Sequence, residues 1–390
     1  MKQRIIFLRT VALLVALAAI TCEPQVAAAK SPRPALLAVQ IVRPPDPMIV
    51  FGKAYLVYEL VLTSYDSVPV KILGVRAADP HDLRTQIKFE GDALAKMMNP
   101  IAAKNGAPDS TTLDSGETCL VYMWSSFESA EQVPKRLSHF IRYRVNHGMV
   151  VEDEIEVAPI TISSAPPRSV GSPLRGGDWI ADGGPSNDSY HRRARMVIDG
   201  TLYFAQRFAI DYEKIGPDGR TYAGDPKQNR SYMAYAAGLI AVADGKVVAL
   251  HDGVPENVPD LVARAVKIDL ETAAGNFVAI DIGYRRYALY GHMIPGSLTV
   301  KKGDFVKRGQ VLGRLGNSGN STEPHLHFQI ADAPSFLGGN GLPYVYDQVD
   351  VKPSRIVNAK VDPPVVQVTG PARRFLATLF MQNDIVAFPK

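Results

Sequence analysis

The histidine pair in Pro324-His325-Leu326-His327-Phe328 is the part of the sequence best suited to chemistry. Successive side chains of a β-strand point to opposite faces, so two histidines separated by one residue project from the same face. Both imidazoles can therefore reach one metal ion, and a catalytic zinc site uses three protein ligands with water in the fourth position. By itself the pair is a weak indication, because two histidines on one strand also occur by chance.

Glycine-rich turns before the pair strengthen the interpretation. Residues 300–328 contain a predicted hairpin with glycines at its turns and a loop that delivers both histidines. Other motifs precede the pair in order: Phe208-Ala-Ile-Asp211, Ala241-Val-Ala-Asp-Gly-Lys-Val-Val248, Gly275-Asn-Phe-Val-Ala-Ile280, Tyr290-Gly-His292, Lys302-Gly-Asp304 and Gly309-Gln-Val-Leu-Gly313. With these motifs, the segment from Arg195 to Ile330 resembles the lysostaphin-type metalloendopeptidases, also called LytM-like or duplicated hybrid motif domains.

The resemblance implies a zinc peptidase built on antiparallel β-strands. In that family an aspartate and the second histidine of the pair bind zinc, which corresponds here to Asp211 and His327. The first histidine of the pair, His325, and a histidine after a tyrosine-containing strand, His292, would flank the metal-bound water. An imidazole there can accept or return a proton, or stabilise the tetrahedral oxyanion. The resemblance leaves open which of the two histidines has which role.

Arg207 departs from the family pattern, in which a histidine four residues before the aspartate is the first metal ligand. A guanidinium has no acceptor lone pair and cannot be deprotonated in a protein, so Arg207 cannot replace that ligand. His191 is the candidate substitute. A hairpin with a three-residue loop centred on Gly200 would pair His191 with Ala209, on the same face as Asp211, whereas a two-residue loop would send it to the opposite face. An alternative interpretation makes His191 a polar residue without a role in the site.

The elements that must position these residues are predicted to be almost entirely β-strands. Residues 35–162 alternate apolar and polar side chains in short strands and predict a β-sandwich, with one helix near Gly91 to Met98. Residues 163–184 are rich in Pro, Gly and Ser and predict a linker. Residues 185–350 form the predicted antiparallel metallopeptidase domain, with strands that include Thr201–Asp211 and Tyr287–Met293, and residues 351–390 a C-terminal β extension. The fold class is therefore all-β.

The N-terminus predicts export. Basic residues precede an apolar run from Val11 to Ile20 that is too short to span a bilayer, and Ala27-Ala28-Ala29 supplies a cleavage site, so residues 1–29 are predicted to be a signal peptide. Lipidation of Cys22 and an uncleaved membrane anchor are the alternatives. The expected location is the periplasm or cell envelope. Cys119 lies in an apolar run and is expected to be a buried, inert thiol.

Composition limits the classes of function. The formal net charge is +4, with 46% hydrophobic and 21% charged residues and no basic block, so no nucleic-acid partner is expected. Our first hypothesis is a zinc metalloendopeptidase that hydrolyses amide bonds of peptidoglycan cross-links, with the sandwich available for other envelope proteins. The second is a degenerate, non-catalytic domain that binds the cell wall or regulates another wall hydrolase. A biotinyl or lipoyl carrier is rejected because no suitable lysine turn is present.

Overall fold

The computed structural model describes residues 35–82, 85–101, 110–259, 262–361 and 364–390. The predicted signal peptide and Cys22 lie outside these residues. Two short α-helices, α1 (Gly91–Met97) and α2 (Tyr190–Arg193), and two 3-10 turns, Ala130–Gln132 and Asn229–Ser231, accompany the strands. Within the described part of the chain, no helix is long and apolar enough to cross a membrane.

The strands are numbered in chain order among the described residues. They are β1 (Leu37–Ile41), β2 (Met48–Val50), β3 (Lys53–Ser64), β4 (Val70–Ala78), β5 (Thr85–Glu90), β6 (Met98–Pro100), β7 (Thr112–Leu113), β8 (Thr118–Phe127), β9 (Arg136–Asn146), β10 (Val150–Thr161), β11 (Arg168–Val170), β12 (Gly176–Asp182), β13 (Met196–Ile198), β14 (Thr201–Tyr203), β15 (Ile210–Lys214), β16 (Gly238–Ile240), β17 (Gly245–His251), β18 (Asn276–Asp281), β19 (Tyr287–Met293), β20 (Phe305–Val306), β21 (Val311–Arg314), β22 (Leu326–Ala331), β23 (Tyr344–Lys352), β24 (Ser354–Asn358), β25 (Val365–Val368), β26 (Arg373–Thr378) and β27 (Ile385–Phe388). The all-β prediction is confirmed.

Two five-stranded antiparallel sheets form the N-terminal part. One has the order β1-β3-β8-β6 with β2 beside β3, and the other has the order β10-β9-β4-β5 with β7 beside β4. Both sheets contribute to one hydrophobic core, for example through Leu60 and Val121 from the first and Ile72 and Ile141 from the second. Cys119 is fully buried in this core, as its apolar surroundings predict.

An eleven-stranded sheet forms most of the C-terminal part. Its order is β11-β23-β27-β12-β15-β22-β19-β18-β17-β20, with β26 beside β23. The stretch for which the sequence predicts a linker contributes β11 and β12 to this sheet, and the last strand, β27, lies between β23 and β12. Residues 163–184 have no periodic pattern because they are rich in Pro, Gly and Ser, and yet two short strands form there, with partners that include the distant β23 and β27.

The two parts share apolar contacts. Met48, Val50 and Val57 of the N-terminal sheets belong to the core of the large sheet. The backbone N–H of Leu379 also donates to the carbonyl of Ile49, with 2.8 Å between N and O. Residues 36–390 accordingly form one compact unit.

The hairpin around Gly200 has the two-residue loop of the second alternative, not the three-residue loop that would pair His191 with Ala209. Ile198 pairs with Thr201, so the loop has two residues, Asp199 and Gly200, both with positive φ (+48° and +75°). This is the geometry that favours a tight β-hairpin turn. The expected strand Thr201–Asp211 is wrong as a single element, because β14 ends at Tyr203 and β15 begins at Ile210. His191 lies on α2, so hairpin register does not determine which way it points.

Candidate metal and catalytic centre

Asp211 and His327 lie on neighbouring antiparallel strands. β15 pairs with β22, and within this pair Asp211 is directly opposite His327. The Asp211 Oδ1 atom and the His327 Nδ1 atom are 2.9 Å apart, and both side chains are buried. Two residues separated by 116 positions in the chain are therefore held together by the ladder of the large sheet.

Gln329 determines which nitrogen of His327 carries the hydrogen. The side-chain amide of Gln329 donates to the carbonyls of Ala205 and Phe336, so its Oε1 atom must be the acceptor that faces His327. The Nε2 atom of His327 is 2.8 Å from this Oε1 atom and donates to it. Neutral His327 therefore presents a lone pair on Nδ1 to Asp211.

The contact between Asp211 and His327 consequently brings two acceptors together. Asp211 Oδ1 is buried and receives no hydrogen bond, and the nearest nitrogen, His327 Nδ1, offers a lone pair at 2.9 Å. Two acceptors at this separation repel each other unless a cation or a proton lies between them. The donor set of carboxylate and neutral imidazole is that of a zinc site, so these residues fit the metal that the sequence implies.

His191 approaches the same carboxylate from α2. Its Nδ1 atom donates to the carbonyl of Gly183 at 2.9 Å, and its Nε2 atom lies 3.3 Å from Asp211 Oδ2. One atom each from His191, Asp211 and His327 lie within 4.8 Å of one another. Ligand atoms around a tetrahedral zinc ion are about 3.4 Å apart, so small side-chain adjustments would allow all three to bind one ion. The structure thus brings His191 to the site without the predicted strand register.

His325 and His292 lie beside these three residues. The Nδ1 atoms of the two histidines donate to backbone carbonyls, His325 to Glu323 at 2.8 Å and His292 to Ser318 at 2.7 Å. Their ring centroids are 4.7 Å apart, and the His325 Nε2 atom is 3.6 Å from Asp211 Oδ1. In both histidines Nε2 is left as a proton acceptor. Each of the four histidines of the site therefore donates a hydrogen bond through one ring nitrogen to a backbone or amide oxygen, which fixes the direction of its other nitrogen. This is the usual arrangement of histidines around a metal.

His292 has a left-handed backbone conformation, with φ of +63°. A non-glycine residue in this region costs free energy and persists where the surroundings impose it. Its backbone N–H donates to the carbonyl of Ala274 at 2.9 Å, and its own carbonyl accepts from Gly316 at 3.1 Å. These contacts fix the direction of the His292 side chain.

Burial and charge shift the pKa values of the site. Burial raises the pKa of the Asp211 carboxyl, but the imidazoles of His191, His325 and His327 outweigh it and hold this pKa well below its usual range. Burial lowers the pKa of His191, but Asp211 outweighs it and raises this pKa above its ordinary value. Burial lowers the pKa of His292 well below its usual value, and the neighbouring imidazoles act in the same direction. Burial also lowers the pKa of His325.

Tyr190 bridges two carboxylates at the edge of the site. Its hydroxyl oxygen lies 2.8 Å from Asp211 Oδ2 and 2.9 Å from Asp182 Oδ2. A phenol has one hydrogen and can donate to only one of them at a time. Burial and the nearby carboxylates raise the pKa of Tyr190 well above its ordinary value, so the hydroxyl stays protonated.

Arg207 points away from the centre. Its Nε and Nη2 atoms donate to the two carboxylate oxygens of Glu59 on β3, at 3.0 and 2.6 Å, and its Nη1 atom donates to the carbonyl of Gly341 at 3.1 Å. Burial raises the pKa of Glu59, but Arg207 and Arg192 outweigh it and hold this pKa below its ordinary value. Arg207 is therefore ion-paired with a carboxylate of the N-terminal part, which it shares with Arg192.

Three residues of the site were missed by sequence reasoning. Gln329 could have been found, because it is two residues after His327 and so shares its face of the strand. Glu59 could also have been noticed, because it is the only acidic residue in the largely apolar strand β3. Tyr190 carried none.

The chain has relatives of known type. Residues 232–337 match the model of Peptidase family M23. Peptidoglycan DD-endopeptidase ShyA of Vibrio cholerae is 44% identical over 57 residues, covering 15% of this chain and 13% of that protein, and lysostaphin of Staphylococcus simulans is 63% identical over 30 residues, covering 8% and 6%. The solved catalytic domain of lysostaphin from the same species is similar at 21% identity, with 45% of this chain and 88% of that chain covered and a TM-score of 0.22.

The fold and the family match together define a peptidase-type segment within the all-β C-terminal part. More narrowly, the segment 232–337 belongs to peptidase family M23, of the lysostaphin type. This segment contains His292, His325 and His327, whereas His191 and Asp211 precede it. The chain spans only 13% and 6% of the lengths of the two curated relatives.

Proposed function

We propose that the protein is a zinc metalloendopeptidase that hydrolyses amide bonds in the peptide cross-links of peptidoglycan. His191, Asp211 and His327 are the proposed metal ligands, and His292 and His325 the proposed proton-transfer residues. The observation that carries the proposal is the 2.9 Å approach of two buried acceptors, Asp211 Oδ1 and His327 Nδ1. The position of His191 Nε2, 3.3 Å from the second oxygen of the same carboxylate, adds the third ligand.

A zinc ion bound by these residues would supply Lewis acidity toward a carbonyl oxygen and would acidify a water molecule. The Nε2 atoms of His292 and His325 can each accept a proton, because their Nδ1 hydrogens are committed to the carbonyls of Ser318 and Glu323. One imidazole can take the proton of the attacking water, and the protonated form of either can donate to the leaving amine or to the developing oxyanion. The fixed rings keep these atoms in place during the reaction.

A cleft beside the centre suits a peptide substrate. Its volume is about 780 Å³, and its walls include Asp182, Glu323 and Lys360. Asp182 accepts a hydrogen bond from Tyr190, and the carbonyl of Glu323 accepts one from His325, so two residues of the cleft wall contact residues of the centre. A cavity of this size falls in the range of small-ligand pockets.

Peptidoglycan is the proposed substrate because of the relatives. ShyA is named a peptidoglycan DD-endopeptidase, and the family match over residues 232–337 includes the histidine pair. Export through the predicted signal peptide, residues 1–29, would bring the enzyme to this substrate in the periplasm or cell envelope. The N-terminal sheets remain available for other envelope proteins.

Metal analysis and digestion test the proposal together. Purified protein is expected to contain one zinc per chain and to release cross-link fragments from peptidoglycan, while His191→Ala, Asp211→Ala and His327→Ala each lose most of the zinc and the activity. His251→Ala, a histidine outside the site, is the matched control and should resemble the wild type. A folded wild type that binds no zinc and cleaves no cross-linked muropeptide would support the non-catalytic wall-binding alternative instead.

A further inference from the structure

The helix that carries His191 has two opposite sets of contacts. Tyr190 and His191 face the centre, where they contact Asp211. Arg192 and Arg193, the next two residues, contact the N-terminal sheets. A helix of four residues has almost no stability of its own, so its position depends on what holds these side chains.

Arg192 is fully buried against β3 and β8. Its guanidinium donates to Glu59 Oε1 through Nη1, and its Nη2 atom donates to the carbonyl of Tyr58 at 2.9 Å. The guanidinium also lies 4.7 Å from the centre of the Tyr122 ring. Arg193 adds a second contact, with its guanidinium 4.2 Å from the centre of the same ring.

The carboxylate of Glu59 forms ion pairs with two buried guanidinium groups. Its side chain has no solvent exposure, and its carboxylate accepts from both Arg192 and Arg207. Without this charge, two buried cations would face each other in a medium of low dielectric, where repulsion is strong and water cannot screen it. The guanidinium of Arg192 would then be driven away, and α2 would move with it.

We infer that Glu59 is a positioning residue for the metal centre, acting through Arg192 on His191. The N-terminal sheets thereby complete the site, because the third ligand is held in place by a carboxylate on β3. This also accounts for Arg207: the residue at the family's usual ligand position shares the carboxylate that holds the replacement ligand. The inference rests on the proposed function, since it requires His191 to bind the metal.

A double-mutant cycle on zinc affinity tests the inference. Glu59→Gln preserves the shape of the side chain and removes its charge, and the zinc dissociation constant is measured by competition with a chromophoric chelator. We expect Glu59→Gln to weaken zinc binding at least tenfold in the wild-type background and less than twofold in a His191→Ala background, because the ligand that Glu59 positions is then already absent. The visible spectrum of the cobalt-substituted protein should change in Glu59→Gln as it does in His191→Ala.

Arg43→Gln is the matched control. Arg43 also joins the two parts of the protein, through an ion pair with Asp332 at 3.2 Å, but it does not contact α2. Its zinc affinity should equal that of the wild type. Unchanged affinity in Glu59→Gln, an equal loss in the His191→Ala background, or an equal loss in Arg43→Gln would each overturn the inference.

A second variant covers the case in which Glu59→Gln does not fold. Arg192→Lys keeps the charge but replaces the two donor nitrogens, Nη1 and Nη2, by one. Its zinc affinity is measured in the same double-mutant cycle, with the same expected tenfold and twofold limits. A wild type that binds no zinc contradicts both the proposed function and this inference. A wild type that binds zinc through His191, with Glu59→Gln and Arg192→Lys equal to it, contradicts this inference alone.

Discussion

Asp211 Oδ1 and His327 Nδ1 lie 2.9 Å apart with no hydrogen between them when His327 is neutral. The strand ladder sets this distance, because the two residues are direct partners on β15 and β22. Gln329 sets the direction of the lone pair. An arrangement that would be repulsive alone becomes favourable when a cation occupies the space between the two acceptors.

Removal of the Gln329 amide should weaken metal binding. In Gln329→Leu the Nε2 hydrogen of His327 loses its acceptor, so the ring can rotate or move its hydrogen to Nδ1. We expect a 10- to 100-fold loss in zinc affinity, the usual effect of losing such an outer contact, measured by chelator competition. Gln310→Leu on the surface is the control. Equal affinities in Gln329→Leu and wild type would contradict the assigned tautomer.

Gly183 should tolerate no side chain. Its φ is +54°, and a Cβ atom there would lie 2.5 Å from the Tyr190 hydroxyl and 2.7 Å from the His191 Nδ1 atom. Gly183→Ala is therefore expected to displace α2 and to abolish binding through His191, as seen in zinc content and activity.

Gly176→Ala separates the clash from backbone strain. Gly176 also has positive φ, +73°, but a Cβ atom there meets nothing within 4 Å. It should lose about 1 kcal/mol of stability from strain alone and keep its zinc. If Gly176→Ala lost zinc as completely as Gly183→Ala does, the close approach of Gly183 to His191 would not be the cause.

The strands around the centre were easier to predict than the residues that complete it. Tyr287–Met293 was predicted with the bounds that the structure has, because a short, largely apolar run of this length is local information that predicts a buried strand. His191 was identified as a candidate, but by a hairpin register that the structure lacks. Its position depends on the carbonyl of Gly183 and, through Arg192, on Glu59, which lies 132 residues earlier. No local sequence pattern indicates a contact between residues as far apart in the chain as Glu59 and His191.

Arg207 illustrates the same limit. The sequence showed that Arg207 cannot bind a metal, but it did not show where the positive charge of the side chain would lie relative to the metal site. In the structure the guanidinium is directed toward Glu59. A sequence pattern identifies the type of side chain, but its direction depends on the partner that packing supplies.

Zinc should stabilise the folded protein. A ligand that binds only the native state contributes about 4 kcal/mol when its free concentration is a thousand times its dissociation constant. We expect zinc to raise the Tm of the EDTA-treated protein by several degrees in a calorimetric scan. Asp211→Asn, which keeps the shape of the ligand but removes its negative charge, should show little of this rise. An equal rise in Asp211→Asn would indicate that the metal binds elsewhere.

His139 should make the folded protein less stable in mild acid. It lies buried on β9 with its Nε2 atom 2.7 Å from the Tyr58 hydroxyl, and burial lowers its pKa from 6.5 to about 4. Between these two values the unfolded chain binds a proton that the folded protein does not, so the free energy of unfolding falls as pH decreases from 6.5 to 4, by at most about 3 kcal/mol. Urea unfolding at several pH values in EDTA measures this slope. The slope should be smaller in His139→Gln and unchanged in His81→Gln, whose histidine is exposed; the same slope in His139→Gln and wild type would show that other groups cause it.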